Sequence, residues 1–177
     1  AGSGSRSRAS GHGRTGLSAR PAFRPPDGPG HRSADKLDGA IHVRLATADE
    51  RIVTLDGEEV TLSADTLVIA DETGPVAIAG MIGGERTAVD ANTRNLVFES
   101  ACFTPAAVAG QGRRYKIHTD SLHRFERGVD PALHRLALER ATQLLVTHGG
   151  GGAGPLSVAE GTPVWSEQRR IALDGAH

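Results

Sequence analysis

From Ala34 onward, apolar residues recur first with the period of strands and later with that of helices. Ile41, Val43 and Leu45 alternate with His42 and Arg44, the period-two signature of a half-buried strand. In "RIVTLDGEEVTL", Asp56-Gly57 separates two runs rich in β-branched residues, which predicts a hairpin. "TLVIAD" (66–71) reads as a short apolar strand closed by a polar turn through Gly74. "PVAIAGMIGGE" (75–85) begins as a strand and finishes in glycines. "NLVFESACF" (95–103) predicts one more, apolar except for Glu99 and Ser100.

Helical signals come later. Thr104-Pro105 offers an N-cap followed by Pro at the first helical position, predicting a short helix near 105–110. Asp130-Pro131 repeats the device and predicts a longer helix near 132–147. Leu133, Leu136, Ala137, Leu144 and Leu145 are expected to share its broad apolar face, and Gly149 to end it. "HGGGGAGP" follows as a connector, and "RRIAL" (169–173) reads as the start of another strand. No internal repeat is evident. Hairpin-linked strands with interspersed helices predict an α+β fold, a mixed and mostly antiparallel α/β arrangement rather than a doubly wound sheet.

Charge divides the chain unevenly. Residues 1–33 hold six Arg against Asp27 alone, a balance of +5, so the remainder must carry -6 to reach the overall -1. Gly, Ser and Pro fill 17 of those 33 positions, too few apolar groups to offset ordering entropy, so this segment is expected to be disordered. Its Arg- and Ser-rich, acid-poor composition also fits a transit peptide, although no amphipathic stripe supports one. The expected organisation is an aberrant or disordered segment over 1–33, a folded domain over 34–160, and the start of a following domain or linker over 161–177. The chain does not begin with Met and is expected to be a piece of a larger subunit.

No apolar run approaches the roughly 18–20 residues that span a bilayer. Cys102 is the single cysteine, which excludes an internal disulfide and a cysteine zinc cluster and makes a cytoplasmic setting the default expectation. Only six residues are aromatic, so the core must come from Val, Leu, Ile and Ala.

Glu99 stands out because a carboxylate within an apolar strand needs a donor. Either it turns outward or pairs with an arginine, or it faces a pocket and awaits a ligand's hydroxyl or amine. Gly80, Gly83 and Gly84 allow positive φ or close backbone approach, without forming a phosphate loop or a dinucleotide fingerprint; a bulge or tight turn explains them equally. In "RRYKIHTDSLHRFERGVDP" (113–131), Arg113, Arg114, Lys116, His118, His123, Arg124 and Arg127 could meet phosphates. Tyr115 and Phe125 could stack on unpaired bases or pack inward. The alternative is a solvated loop that Asp120 and Glu126 partly neutralise. Thr119, Asp120 and Ser121 supply short polar groups at an expected turn, and could cap it. His118 and His123 match no metal pattern, and nothing aligns to activate Cys102.

The order of these segments says more than any one of them. "DKLDGAIHVRLA", "TLVIAD", "AIAGMIGGE", "NLVFESACFTP", "GRRYKIHTDSLHRFERGVDP" and "ERATQLL" in succession closely resemble the B3/B4 module of the bacterial phenylalanyl-tRNA synthetase β subunit. The resemblance runs from about Asp35 to about Ser157. It implies an editing domain that hydrolyses tyrosine mischarged onto tRNA(Phe), with Glu99 taking the tyrosyl hydroxyl, Gly83 and Gly84 flooring the pocket, and Thr119 and Ser121 lining the site near the ester. Arg113, Arg114, Lys116, His118 and Arg124 become the candidate tRNA contacts, on a loop leading into the helix begun by Asp130-Pro131. The implied partners are the charged end of tRNA(Phe) and, in the parent enzyme, an α subunit in an α2β2 assembly. No metal or other cofactor is implied for the module; ATP and Mg belong to the parent enzyme's aminoacylation.

Two departures accompany the resemblance. Ser121 replaces an Ala common in the family. Upstream, the family's Gln-Pro-x-His-Ala-Phe-Asp run is replaced by "DGPGHRSA", with His31 one position out of register. This implies loss of a strand and of a water-orienting group, so the catalytic residues stay unassigned. Three functional readings result: an editing hydrolase within the β subunit, a non-catalytic tRNA-binding and structural segment of it, and a free-standing trans-editing protein.

Overall fold

The computed structural model describes residues 17–18 and 31–158. The expected disorder of 1–33, apart from residues 17–18 and 31–33, lies outside the described residues, and so do the segment from 159 and the strand expected at 169–173.

The strands are β1 (Leu17–Ser18), β2 (His31–Ser33), β3 (His42–Leu45), β4 (Arg51–Val53), β5 (Glu59–Thr61), β6 (Leu67–Asp71), β7 (Gly74–Ile78), β8 (Ile82–Gly83) and β9 (Asn95–Phe98). The helices are α1 (Pro105–Val108), α2 (Gln111–Tyr115), α3 (Asp120–Arg127) and α4 (Leu133–Gly149). The described strands form three sheets in the orders β1-β9-β2, β3-β6-β7-β8 and β4-β5, and every pairing is antiparallel. This is an α+β fold. The β4–β5 hairpin turns where Asp56-Gly57 predicts it, with Gly57 at φ 85°. Between β6 and β7 the register shifts at Ile69/Ala70, where Ala70 faces Pro75. Proline has no N–H to give the ladder, so the irregularity falls where a rung cannot form.

Two apolar clusters result. The larger unites Val68, Ile69, Val76 and Ile78 of the central sheet, and Met81 of the turn between β7 and β8, with Phe103, Val108, Ile117 and Leu122 from the helical segment. The smaller joins Leu96 to Leu145, with Val89, Phe98 and Val146 against them, and seats α4 on β9.

Several expectations are corrected. β3 is an edge strand, and Ile41, Val43 and Leu45 are exposed rather than half-buried, because no described element covers that side. The leucines of α4 do not share one face. Leu138, Ala141 and Leu145 follow helical spacing toward the domain, whereas Leu133, Leu136 and Leu144 fall on the other side and are exposed. The basic stretch is not a loop: it forms α2 and α3. Finally, the strand expected to be missing has a counterpart, since His31–Ser33 pair with Leu96–Phe98 as β2.

Candidate functional site

Glu99 lies just past the end of β9 rather than within the strand. Its neighbour is set by register: Arg32 in β2 sits opposite Val97, and its side chain reaches along the sheet to the carboxylate. Arg32 Nη1 donates to Glu99 Oε2 at 2.8 Å, with the arginine side chain 6% exposed and the glutamate 24%. Glu99 thus has an arginine partner and also faces a cavity of about 250 Å³, lined by His31, Phe98 and Ser100 from the sheet side and Ala137, Leu138 and Ala141 from α4. Benzene fits a cavity of roughly 150 Å³, so this more open space is large enough to admit a single ring.

Thr119 and Ser121 act at a different place. Thr119 caps α3, its Oγ1 accepting from Leu122 N at 3.2 Å, and the same hydroxyl donates to Met81 O at 2.9 Å. Ser121 Oγ donates to Gly80 O at 3.1 Å. Two hydroxyls from the first turn of α3 therefore hold consecutive carbonyls of the Gly80-Met81 turn. Gly80 has φ 71°, and a Cβ there would lie 3.1 Å from Phe103 and 3.2 Å from Phe125. Those two rings meet edge to face, centroids 5.1 Å apart. The turn is accordingly gripped from two sides.

Gly83 and Gly84 continue from that turn toward the β4–β5 hairpin. Gly83 O accepts from Leu55 N at 3.0 Å, and Gly84 N donates to Val76 O at 2.8 Å. A Cβ on Gly84 would stand 3.0 Å from the Val76 carbonyl oxygen, so close backbone packing requires a small residue there. Gly84 also borders a second cavity, of about 360 Å³, with Arg51, Thr73, Pro75 and Arg86.

The sequence-predicted site residues thus occupy three separate places. Chain continuity joins the two around residues 80–84. Phe103, four residues beyond Glu99, packs where a Gly80 side chain would be and so connects that region to the segment carrying the carboxylate. Thr119 and Ser121 border neither cavity, and Glu99 shares neither with Gly83 or Gly84.

The basic stretch is largely surface. Arg113, Lys116, His118 and Arg124 are exposed. Arg114 is engaged by Asp65 at 2.5 Å and by Gln111 at 3.3 Å. Asp120 and Glu126, expected to neutralise this charge, make no ion pair among the described residues; Asp65 does so instead. Tyr115 and Phe125 pack inward against the larger cluster, and the Tyr115 hydroxyl accepts from Ser63 N at 2.9 Å. Burial, and secondarily Asp130, pushes the Cys102 thiol upward, which makes it a poorer nucleophile. No group of three His, Cys, Asp or Glu among the described residues is placed to hold a metal ion.

Arg32 is the residue that sequence reasoning missed. It stands among the glycines, serines and arginines of a segment with no strand pattern, so only the β2–β9 pairing reveals its position. Asp71, which anchors Arg86, is by contrast marked in the sequence as an Asp at the end of an apolar strand.

An antiparallel α+β module with a carboxylate at a small cavity and a glycine-rich turn is what the fold and site define. A family model described as the B3/4 domain matches residues 32–150. The chain belongs to the B3/4 domain family. It is 54% identical over 122 residues to a phenylalanine–tRNA ligase beta subunit from Photorhabdus laumondii, covering 69% of this chain and 15% of that protein. To beta subunits of the same name it is 56% identical in Pseudomonas fluorescens, over 68% of this chain and 15% of that one, and 53% in Methylococcus capsulatus, over 71% and 16%. The chain therefore spans about 15% of the length of the curated relatives it matches. No helix among the described residues is long and apolar enough to cross a membrane.

Proposed function

We propose that this domain serves in a phenylalanine–tRNA ligase β subunit as the editing module, hydrolysing tyrosine wrongly esterified to tRNA(Phe). The observation that carries the reading is Glu99, a half-buried carboxylate with one oxygen held by Arg32 and the side chain bordering a cavity large enough for a ring. Its second oxygen receives no hydrogen bond from the described residues and is free to accept from a phenol. Phenylalanine offers no donor, so its ring would leave that oxygen dry and unpaired. Sites built to bond a substrate hydroxyl reject the analogue lacking it by as much as ~10⁴–10⁵.

In this reading, water adds to the aminoacyl carbonyl carbon, the carbon–oxygen bond to the terminal ribose breaks, and the ribose oxygen takes the proton. Thr119 and Ser121 contribute by holding the Gly80-Met81 turn, and Gly83 and Gly84 by letting the backbone approach closely. The exposed cations Arg113, Lys116, His118 and Arg124, with Arg114 beside them, suit the phosphates of the tRNA end. The partners are tRNA(Phe) and the ligase α subunit, in the cytoplasm. The module's own chemistry draws on no cofactor, ATP and Mg serving aminoacylation in the whole ligase.

A second reading, a non-catalytic tRNA-binding and structural segment, is favoured by the exposed apolar residues Val43, Leu45, Leu133 and Leu136, which suit contact with the rest of a larger subunit. Incubating the purified chain with Tyr-tRNA(Phe) separates the two. Released tyrosine supports editing; an inert, folded chain that still binds tRNA supports the structural role.

A further inference from the structure

The setting of Glu99 makes a sharper statement about its ligand. Arg32 lies in β2, held to β9 by the pairs His31↔Phe98, Arg32↔Val97 and Ser33↔Leu96, so its backbone is fixed beside the end of the strand that leads into Glu99. The side chain is 6% exposed. Its Nε is buried and has no hydrogen-bond partner, and Glu99 Oε2 is the one acceptor the described residues offer it. A buried cation this poorly satisfied is costly, and it is retained where it fixes or neutralises something else. Here that is Glu99. The carboxylate's charge is already matched by Arg32, which does not itself line the cavity.

We infer that Arg32 is a positioning residue that makes the Glu99 cavity select a neutral hydroxyl donor, of the phenol class, over a cationic amine. This rests on the reading of Glu99 given above. An unpaired carboxylate would attract an ammonium group in preference to a neutral hydroxyl, because the ammonium adds a full charge to the hydrogen bond it donates. With Arg32 in place, an ammonium ligand meets an adjacent guanidinium as well as the carboxylate and gains little. A phenol needs only an acceptor lone pair, which Glu99 Oε1 still offers. Arg32 also fixes which oxygen is left over, and hence the direction from which a hydroxyl must approach.

The test uses two probes of nearly equal size, p-cresol and 4-methylbenzylammonium, titrated into the full chain and followed through the backbone amide signals of Phe98, Glu99 and Ser100. The unsubstituted chain is expected to bind p-cresol more tightly. In Arg32→Met, which keeps the aliphatic stem and drops the charge, the order is expected to invert through a change on the order of tenfold in the affinity ratio. A merely structural role for Arg32 would weaken both probes without reversing them. Unchanged order in folded Arg32→Met, or an unsubstituted chain that prefers the amine or binds neither probe, overturns the proposal. If Arg32→Met does not fold, Arg32→Gln is read the same way. The Arg32 guanidinium N–H signals of the unsubstituted chain must then move with p-cresol, and unmoved signals overturn the proposal. Tyr-tRNA(Phe) hydrolysis is measured in parallel. Inversion without hydrolysis sinks the editing reading alone, whereas hydrolysis without inversion sinks this one alone.

Discussion

Asp71 and Arg86 meet fork to fork: Nη2 donates to Oδ1 at 2.7 Å and Nη1 to Oδ2 at 3.0 Å, with the Asp71 side chain fully buried. The same carboxylate accepts from Asp38 N, Thr73 N, Thr73 Oγ1 and Gly74 N. One side chain at the end of β6 therefore fixes the approach to β3, the β6–β7 turn, and the short 3-10 helix after Gly84. Burial opposes its ionisation, but Arg86, the Asp38 amide and Thr73 outweigh burial and hold the carboxyl far below the usual range.

Asp71→Asn is expected to cost about 2–4 kcal/mol in urea unfolding, since breaking a buried pair strands donors while Arg86 stays partly solvated. The pH dependence has a definite sign. A carboxylate with a lowered native value contributes its full stabilisation above the unfolded value of about 4 and loses it as pH falls below that. The unsubstituted chain should therefore weaken steeply below about pH 4, and Asp71→Asn should lack that component. Parallel pH profiles for the two would contradict the assignment.

Gly80→Ala is expected to destabilise the domain by about 2–3 kcal/mol, combining a left-handed backbone with overpacking against Phe103, Phe125 and Val108. Equilibrium unfolding checks it. A neutral substitution would mean that the turn is not gripped as described.

Thr119→Ala removes both a helix cap and the bond to Met81 O, and about 1–2 kcal/mol of stability should go with it. Ser121→Ala removes only the bond to Gly80 O, so about 0.5–1.5 kcal/mol is expected. Because its hydroxyl is already engaged, Ser121→Ala should leave the preference for tyrosyl over phenylalanyl substrate unchanged. A large shift in that preference would show that the Ser121 hydroxyl reaches the substrate.

Much of the fold is legible in the chain's local patterns. The Asp56-Gly57 hairpin, the apolar runs of β6 and β7, and the Pro105 start of α1 all follow from turn chemistry and short-range periodicity. What escaped depends on distant partners. Apolar residues flanking Glu99 on both sides predict a strand through it, yet pairing with β2 stops at Phe98 and Phe103 packs in the other cluster. Charges dominate α3 and mask its helical pattern, although Thr119 as cap and Leu122 and Phe125 at three-residue spacing are visible signs of it. That Glu99 could pair with an arginine is legible in the sequence, but which arginine is not, since no local pattern marks Arg32. Of the candidate site, the residue types were readable from the sequence, but their distribution over three places was not.

The basic surface gives an independent test. Arg113→Ala with Arg114→Ala should weaken tRNA(Phe) binding and flatten the dependence of log affinity on log salt by about 2, one for each lost phosphate contact. Unchanged affinity and slope would remove these two arginines from the tRNA interface.

Editing selectivity turns most on whether Glu99 tells a phenol from a bare ring. Deacylation rates of Tyr-tRNA(Phe) and Phe-tRNA(Phe) by the unsubstituted chain and by Glu99→Ala measure this directly. The unsubstituted chain should favour the tyrosyl ester, and Glu99→Ala should reduce that preference by roughly ten- to a hundredfold, the loss of one charge-assisted hydrogen bond. A Glu99→Ala chain that keeps the full preference for tyrosine would contradict the account.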